Sequence, residues 1–142
     1  MAEIIGIDHI YITVSDLVVS EKFYDTVLAV LGFKKNEFSI DGENHIQYYN
    51  RHFGYVLRHA RSQTPHDSYA PGLHHLCFRV NDELDVHEAT RKLRDVGVAV
   101  SEPKRYTEYA PDYFAFHFSD PDGLRLEITN YRLERRQRYD DW

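Results

Sequence analysis

A chain of 142 residues has the size of one ordinary domain and can bury about two thirds of its unfolded surface, so it needs no staples to fold. Its single cysteine, Cys77, excludes an internal disulfide framework and points to a reducing cytoplasm. A net charge of −6 and the lack of any apolar run long enough to span a bilayer leave neither a nucleic acid nor a membrane as an expected partner.

The chain opens with Ile7-Asp8-His9-Ile10-Tyr11-Ile12-Thr13-Val14, in which apolar and polar residues alternate as in a half-buried strand. Ser15 or Asp16 then caps a helix whose stripe of Leu17, Tyr24, Val27, Leu28 and Leu31 approximates the 3.6-residue period, and Gly32 ends it. Three strands are expected near residues 33–40, 43–49 and 54–59, with Asp41-Gly42 as the turn between the first two. Residues 61–72 carry Ser, Pro and Gly and read as a linker.

The pattern then repeats. Leu73-His74-His75-Leu76-Cys77-Phe78-Arg79-Val80 alternates in the same way and sets His75 at the point His9 holds in the first copy. Asn81 or Asp82 starts a second helix with the stripe Val86, Ala89, Leu93 and Val96, and Gly97 stops it. Strands are expected near 98–101, 113–118 and 124–130, the last after the strong turn Asp120-Pro121-Asp122-Gly123. The expected architecture is α+β: one domain of two βαβββ modules, about 4–60 and 72–131, whose curved mixed sheets enclose a cavity with the helices outside. Residues 132–142 form a basic tail, read as a solvated helix or a subunit contact.

Strand parity assigns faces. Ile10, Ile12 and Val14 take the apolar side of the first strand, leaving His9, Tyr11 and Thr13 opposite; Leu76, Phe78 and Val80 leave His75, Cys77 and Arg79; Leu124, Leu126 and Ile128 leave Arg125, Glu127 and Thr129. Two imidazoles and a carboxylate are thereby expected from equivalent depths. His9, His75 and Glu127 form a set suited to one divalent ion, Fe, Mn, Ni or Zn, with positions open for substrate and water. The competing reading is chance, since the chain has nine histidines. His45, His52, His59, His66 and His87 have no patterned partner and read as surface or loop residues.

The Asp-His-Ile…Phe-Tyr…Leu-Gly-Phe pattern of residues 8–33, with Asp120-Pro121-Asp122-Gly123-Leu124-Arg125-Leu126-Glu127, resembles the vicinal oxygen chelate superfamily. That group holds glyoxalase I, extradiol dioxygenases, fosfomycin-resistance thiol transferases and the bleomycin-resistance proteins. The resemblance implies metal ligands at His9, His75 and Glu127, a small-molecule substrate and a homodimer. It leaves the reaction open among lyase or isomerase, ring-cleaving dioxygenase and thiol transfer, because one scaffold hosts several chemistries. The alternative is a metal-free binding protein of the bleomycin-resistance type. Glu127 can also serve as a base instead of a ligand.

The family's fourth ligand position lies on the last strand of the first module. Matching Gly54 to Gly123 puts Arg58 there, a residue that stays protonated and cannot ligate. Arg58 is expected either to orient an anionic substrate or to pair with a neighbouring carboxylate; His59 replaces it only if a bulge reverses the alternation. Tyr11, Tyr48, Arg79, His117 and Arg125 are expected around the same cavity by parity, with Tyr106 and Tyr109 on the loop before Tyr113.

Overall fold

The computed structural model describes residues 2–140, which fall into two compact units dividing between Pro65 and His66, inside the expected linker. The first unit runs β1 (His9–Val14), α1 (Leu17–Val30), β2 (Lys34–Ile40), β3 (Glu43–Tyr49) and β4 (Gly54–His59). Its sheet has the order β1-β4-β3-β2, with β1 parallel to β4 and the other pairs antiparallel.

The Asp16 side chain caps α1 by accepting from the Val19 N–H at 3.1 Å. At the other end Gly32 takes φ +88°, and the Gly32 and Phe33 N–H groups bond back to the carbonyls of Ala29 and Leu28, closing a Schellman motif. The helix buries Tyr24, Val27 and Leu28 against Ile12, Val14, Ile46, Tyr48, Tyr55 and Leu57 of the sheet. Each such side chain contributes roughly 1.5–3 kcal/mol of transfer free energy. The tyrosine hydroxyls in this core are satisfied: Tyr55 donates to the Tyr24 hydroxyl at 2.9 Å and Tyr48 to Asp25 Oδ1 at 2.7 Å.

The second unit repeats the plan with β5 (His75–Val80), α2 (Glu83–Asp95), β6 (Lys104–Arg105), β7 (Phe114–Ser119) and β8 (Arg125–Asn130), in the order β5-β8-β7-β6. Asp82 caps α2, Gly97 at φ +87° ends it, and the N–H groups of Gly97 and Val98 return to Arg94 and Leu93 as their counterparts do in α1. Val86, Ala89 and Leu93 pack on Phe116, Phe118, Leu126 and Ile128. The Asp120 carboxylate holds the turn before β8 by accepting from the N–H groups of Asp122 and Leu124 at 2.9 and 2.8 Å.

The strand expected near 98–101 does not form. The Ser101 hydroxyl takes the bond from the His117 N–H at 2.9 Å that a ladder carbonyl would take, and Pro103 brings no N–H of its own, so pairing resumes only at Lys104–Arg105. Neither sheet closes on itself. The tail forms α3 (Leu133–Asp140), tied down where the Leu133 N–H meets Asp112 Oδ2 at 2.9 Å and Arg136 donates to the Asn81 carbonyl at 2.7 Å. The last two residues of the expected tail, Asp141 and Trp142, lie outside the described residues. No helix among the described residues is long and apolar enough to cross a membrane.

Candidate metal centre

The register of each sheet decides which side chains share a face, because residues paired directly across strands point the same way. In the first unit His9, Tyr11 and Thr13 pair with Gly54, Val56 and Arg58, and Val56 and Arg58 pair onward with Gln47 and His45. These residues occupy the face opposite α1. Gly54 lets the two strands sit close here, since a Cβ in its place would meet the His9 Cβ at 3.3 Å and the neighbour would have to give by a few tenths of an ångström.

His9 has its Nδ1 2.6 Å from Asp8 Oδ2, so the ring donates that proton to the carboxylate and keeps Nε2 for another partner. A cleft of about 260 Å³ opens beside it, lined by Asp8, Gln47, Asn50, Arg51 and His52. A second cavity, of about 230 Å³, lies against α2 around His87, Arg91 and Glu102 and contains none of the expected site residues.

Tyr48 departs from expectation. It pairs with Tyr55 and lies on the helix side, 2% exposed, with its hydroxyl on Asp25 Oδ1 and the Glu21 carbonyl. Burial first, then the Asp25 hydrogen bond, pushes its phenol well above the ordinary value. Tyrosine is amphipathic, and parity on a strand as polar as β3 did not reveal which end of that balance would win. His45 is the converse: it is 2% exposed, not a surface residue, stacked on Phe38 at 4.9 Å and edge-on to Tyr11 at 5.8 Å.

Arg58 also needs correction. Counting from the histidine strands, Tyr11 pairs with Val56 and Cys77 with Glu127, so the counterpart of Glu127 is Val56, and the counterpart of Arg58 is Thr129. Matching the glycines misled because Gly54 is the first paired residue of β4, whereas Gly123 belongs to the turn before β8. Arg58 does share the face of His9, ahead of an exposed His59, but its guanidinium donates to Glu43 Oε2 while Arg61 holds Glu43 Oε1 at 2.6 Å.

In the second unit His75, Cys77 and Arg79 pair with Arg125, Glu127 and Thr129, and Glu127 pairs with His117, so these residues share the face away from α2. His75 Nε2 lies 3.4 Å from Glu127 Oε2, the kind of separation two ligands keep on one ion with bonds of about 2.0–2.2 Å. The other nitrogen, Nδ1, meets His74 Nδ1 at 2.7 Å, so in both units the preceding residue holds Nδ1. Among the described residues no three His, Cys, Asp or Glu side chains gather closely enough to hold an ion. The second unit supplies a pair whose donor atoms suit a divalent metal.

Glu127 is 8% exposed, and its Oε1 accepts from the Tyr113 hydroxyl at 2.9 Å. Tyr113 was the unforeseen residue here; Tyr106 and Tyr109 cluster against its ring, and Tyr109 itself is 69% exposed. Burial, the neighbouring Cys77 and Glu127 all push the Tyr113 phenol up, which keeps it a donor. Cys77 is exposed as a residue, yet crowding of its sulfur, followed by the charge of Glu127, pushes the thiol up to about 12. His117 is lowered, chiefly by burial and then by Arg125, so it contributes a neutral imidazole at neutral pH. The guanidinium carbons of Arg79 and Arg136 lie 4.1 and 4.4 Å from the centroid of the Tyr131 ring.

Three comparisons bear on this arrangement. The chain is 32% identical over 142 residues to the metallothiol transferase FosB of Bacillus licheniformis, an alignment covering 96% of this chain and 83% of that protein. A glyoxylase/bleomycin resistance protein/dioxygenase domain from Frankia sp. EAN1pec superposes with a TM-score of 0.74 at 25% identity, covering 92% of this chain and all of that one. The fosfomycin resistance protein FosX of Listeria monocytogenes, at 19% identity, shares the fold with a TM-score of 0.65 over 94% of this chain and 99% of its own. Residues 6–128 match the family model of the glyoxalase/bleomycin resistance protein/dioxygenase superfamily, and with the duplicated strand-helix plan and the His and Glu strands in register, the chain belongs to that superfamily.

Proposed function

We propose that this protein is a metal-dependent enzyme that holds one divalent ion per chain, Fe, Mn, Ni or Zn, on His9, His75 and Glu127, and transfers a thiol to a small anionic organic substrate. The observation that carries the reading is the approach of His75 Nε2 to Glu127 Oε2 at 3.4 Å on a face shared with Arg125. His9 joins them as the repeat counterpart of His75: each is the first residue of its strand, seven residues before a capping aspartate. Thiol transfer is favoured over lyase and dioxygenase chemistry by the relative that is named a metallothiol transferase.

When bound, the ion supplies Lewis-acid polarisation of a substrate oxygen. The protein's own contribution is orientation. Asp8 and His74 fix the Nδ1 sides of the two histidines, leaving Nε2 of each as the donor. Arg125, which pairs with His75, brings a cation to the face where an anionic group would dock, and His117 offers a hydrogen-bonding ring without adding charge. Arg58 is a weaker candidate for the same task because Glu43 already neutralises it. In this reading Tyr11, Arg79 and Tyr109 serve as substrate-binding residues.

The active form in this reading is a homodimer, and a single 16.8 kDa species in sedimentation at micromolar concentration would remove that part. The test of the site is titration of metal-free protein with Mn(II). The parent binds about one ion per chain, and His9→Ala, His75→Ala and Glu127→Gln each weaken binding about tenfold or more. Undiminished affinity in the His75 variant would sink this ligand set, and no Mn(II) binding by the parent would favour the metal-free binding protein.

A further inference from the structure

Glu127 has two oxygens with different neighbours. Oε2 faces His75 Nε2 at 3.4 Å, whereas Oε1 accepts from the Tyr113 hydroxyl at 2.9 Å. A carboxylate free to rotate offers an ion either oxygen or both; one pinned through Oε1 does not.

The anchor is itself immobilised, and by groups that have no other evident use. Asn130, three residues beyond Glu127 on the same strand, donates from Nδ2 to the Asp112 carbonyl at 2.8 Å and accepts at Oδ1 from the Phe114 N–H at 3.1 Å. Those bonds grip the backbone on both sides of Tyr113. The Tyr113 carbonyl accepts from the Tyr106 N–H at 2.8 Å, and the Thr129 hydroxyl donates to the Phe114 carbonyl at 3.1 Å. Above the ring, the Arg132 guanidinium lies 4.6 Å from the centroid. Strand β8 thus carries the carboxylate, the asparagine and the threonine that together decide where the phenol sits.

We propose that Tyr113 is a positioning residue for Glu127: by occupying Oε1 it presents Oε2 alone, on the side of His75, as a monodentate ligand for the divalent ion. The inference rests on the metal reading above and adds the denticity of the carboxylate and the residue that sets it. Phenylalanine at this position keeps the ring packing and removes only the donor, so Tyr113→Phe isolates the effect.

The experiment titrates metal-free full chain with Mn(II) by calorimetry in four proteins: parent, Tyr113→Phe, Glu127→Gln and the double variant. Tyr113→Phe weakens Mn(II) binding by about tenfold, within the range known for outer partners of metal ligands, while the melting temperature of the metal-free protein stays close to the parent's. The double variant binds no more weakly than Glu127→Gln alone, because the hydroxyl acts only through the carboxylate. Infrared difference spectra of the Mn(II)-loaded proteins add a readout that a packing role would not move: the separation of the two carboxylate stretches narrows in Tyr113→Phe as Glu127 becomes bidentate. Parent-like affinity and an unchanged band separation in Tyr113→Phe, alongside lost binding in Glu127→Gln, overturn the role of Tyr113 alone. Parent-like Mn(II) binding in Glu127→Gln, or none in the parent, overturns the metal reading and this inference with it.

Discussion

Val56 occupies in the first unit the place Glu127 occupies in the second, each paired across parallel strands with the residue two positions after a histidine. One position is a buried aliphatic at 2% exposure and the other a carboxylate at 8%. The duplicated frame therefore carries ligand-type residues at three of its four equivalent points, and the open fourth point is apolar rather than cationic. A valine supplies no ligand, so in the reading proposed above the ion keeps coordination positions for substrate.

The first prediction follows from that asymmetry. Val56→Glu lowers the melting temperature of the metal-free protein, because a carboxylate replaces a buried methyl pair without a partner. It also raises Zn(II) affinity by about tenfold, roughly 1.4 kcal/mol, by adding a fourth ligand. Arg58→Glu gains nothing comparable, since it sets a second carboxylate beside Glu43 two positions further along the strand. Calorimetry that finds tighter Zn(II) binding in the Arg58 variant than in the Val56 variant would return the fourth position to Arg58.

Much of this is legible in the sequence. Alternation in β1, β5 and β8 separated His9, His75 and Glu127 from their apolar neighbours, and the Asp caps and terminal glycines bounded both helices. Three features escaped because they depend on pairing between distant segments. The counterpart of Glu127 is fixed by the β1–β4 register, which a turn glycine does not report. The side of Tyr48 is fixed by Asp25 waiting under it on α1. Tyr113 meets Glu127 only because Asn130 holds the strand end, and an asparagine at a strand terminus carries no sequence signal for that task.

Asn130 gives the second prediction. Asn130→Ala leaves the Phe114 N–H and the Asp112 carbonyl without their partner in a buried setting, and each such group costs about 1–3 kcal/mol. Urea unfolding should show a loss of about 2–6 kcal/mol in all. A loss below half a kilocalorie would mean that the clamp on Tyr113 is replaced by water or by backbone rearrangement.

The third concerns where an anion docks. Arg58 is neutralised by Glu43, whereas Arg125 shares its face with His75 and Glu127. Inorganic phosphate binding to Mn(II)-loaded protein should weaken by about 1.5–3 kcal/mol in Arg125→Gln and by less in Arg58→Gln, the usual worth of a charge-assisted bond setting the scale. The reverse order would make Arg58 the orienting cation and Glu43 its displaceable counter-ion.

The last prediction uses the tyrosine that proved to lie under the helix. The Tyr48 phenol is raised above 10.0, by burial first and then by its hydrogen bond to Asp25. Lys35, which bonds the same Asp25 and Glu21, is also raised: burial pulls it down, but the two carboxylates outweigh burial. A group whose folded pKa exceeds its unfolded value holds its proton longer in the native state, so its contribution is intact below the unfolded pKa and declines as pH climbs above it. Stability should therefore begin to fall near pH 9, where the Cys77 thiol ionises in the unfolded chain but not in the folded one, and fall more steeply beyond about pH 10 as Tyr48 and Tyr113 join it, each retained proton adding about 1.4 kcal/mol of slope per pH unit. Tyr48→Phe loses about 1–3 kcal/mol at pH 8, the worth of one hydrogen bond to a carboxylate that keeps Lys35 as its other donor. Above pH 10 its decline is shallower than the parent's, since one of the groups that hold a proton longer in the folded state is gone. Denaturant unfolding of both proteins from pH 8 to about 11.5 measures the two slopes across the tyrosine range. Parallel alkaline limbs would show that Tyr48 ionises as easily folded as unfolded, and that its bond to Asp25 does not persist in solution.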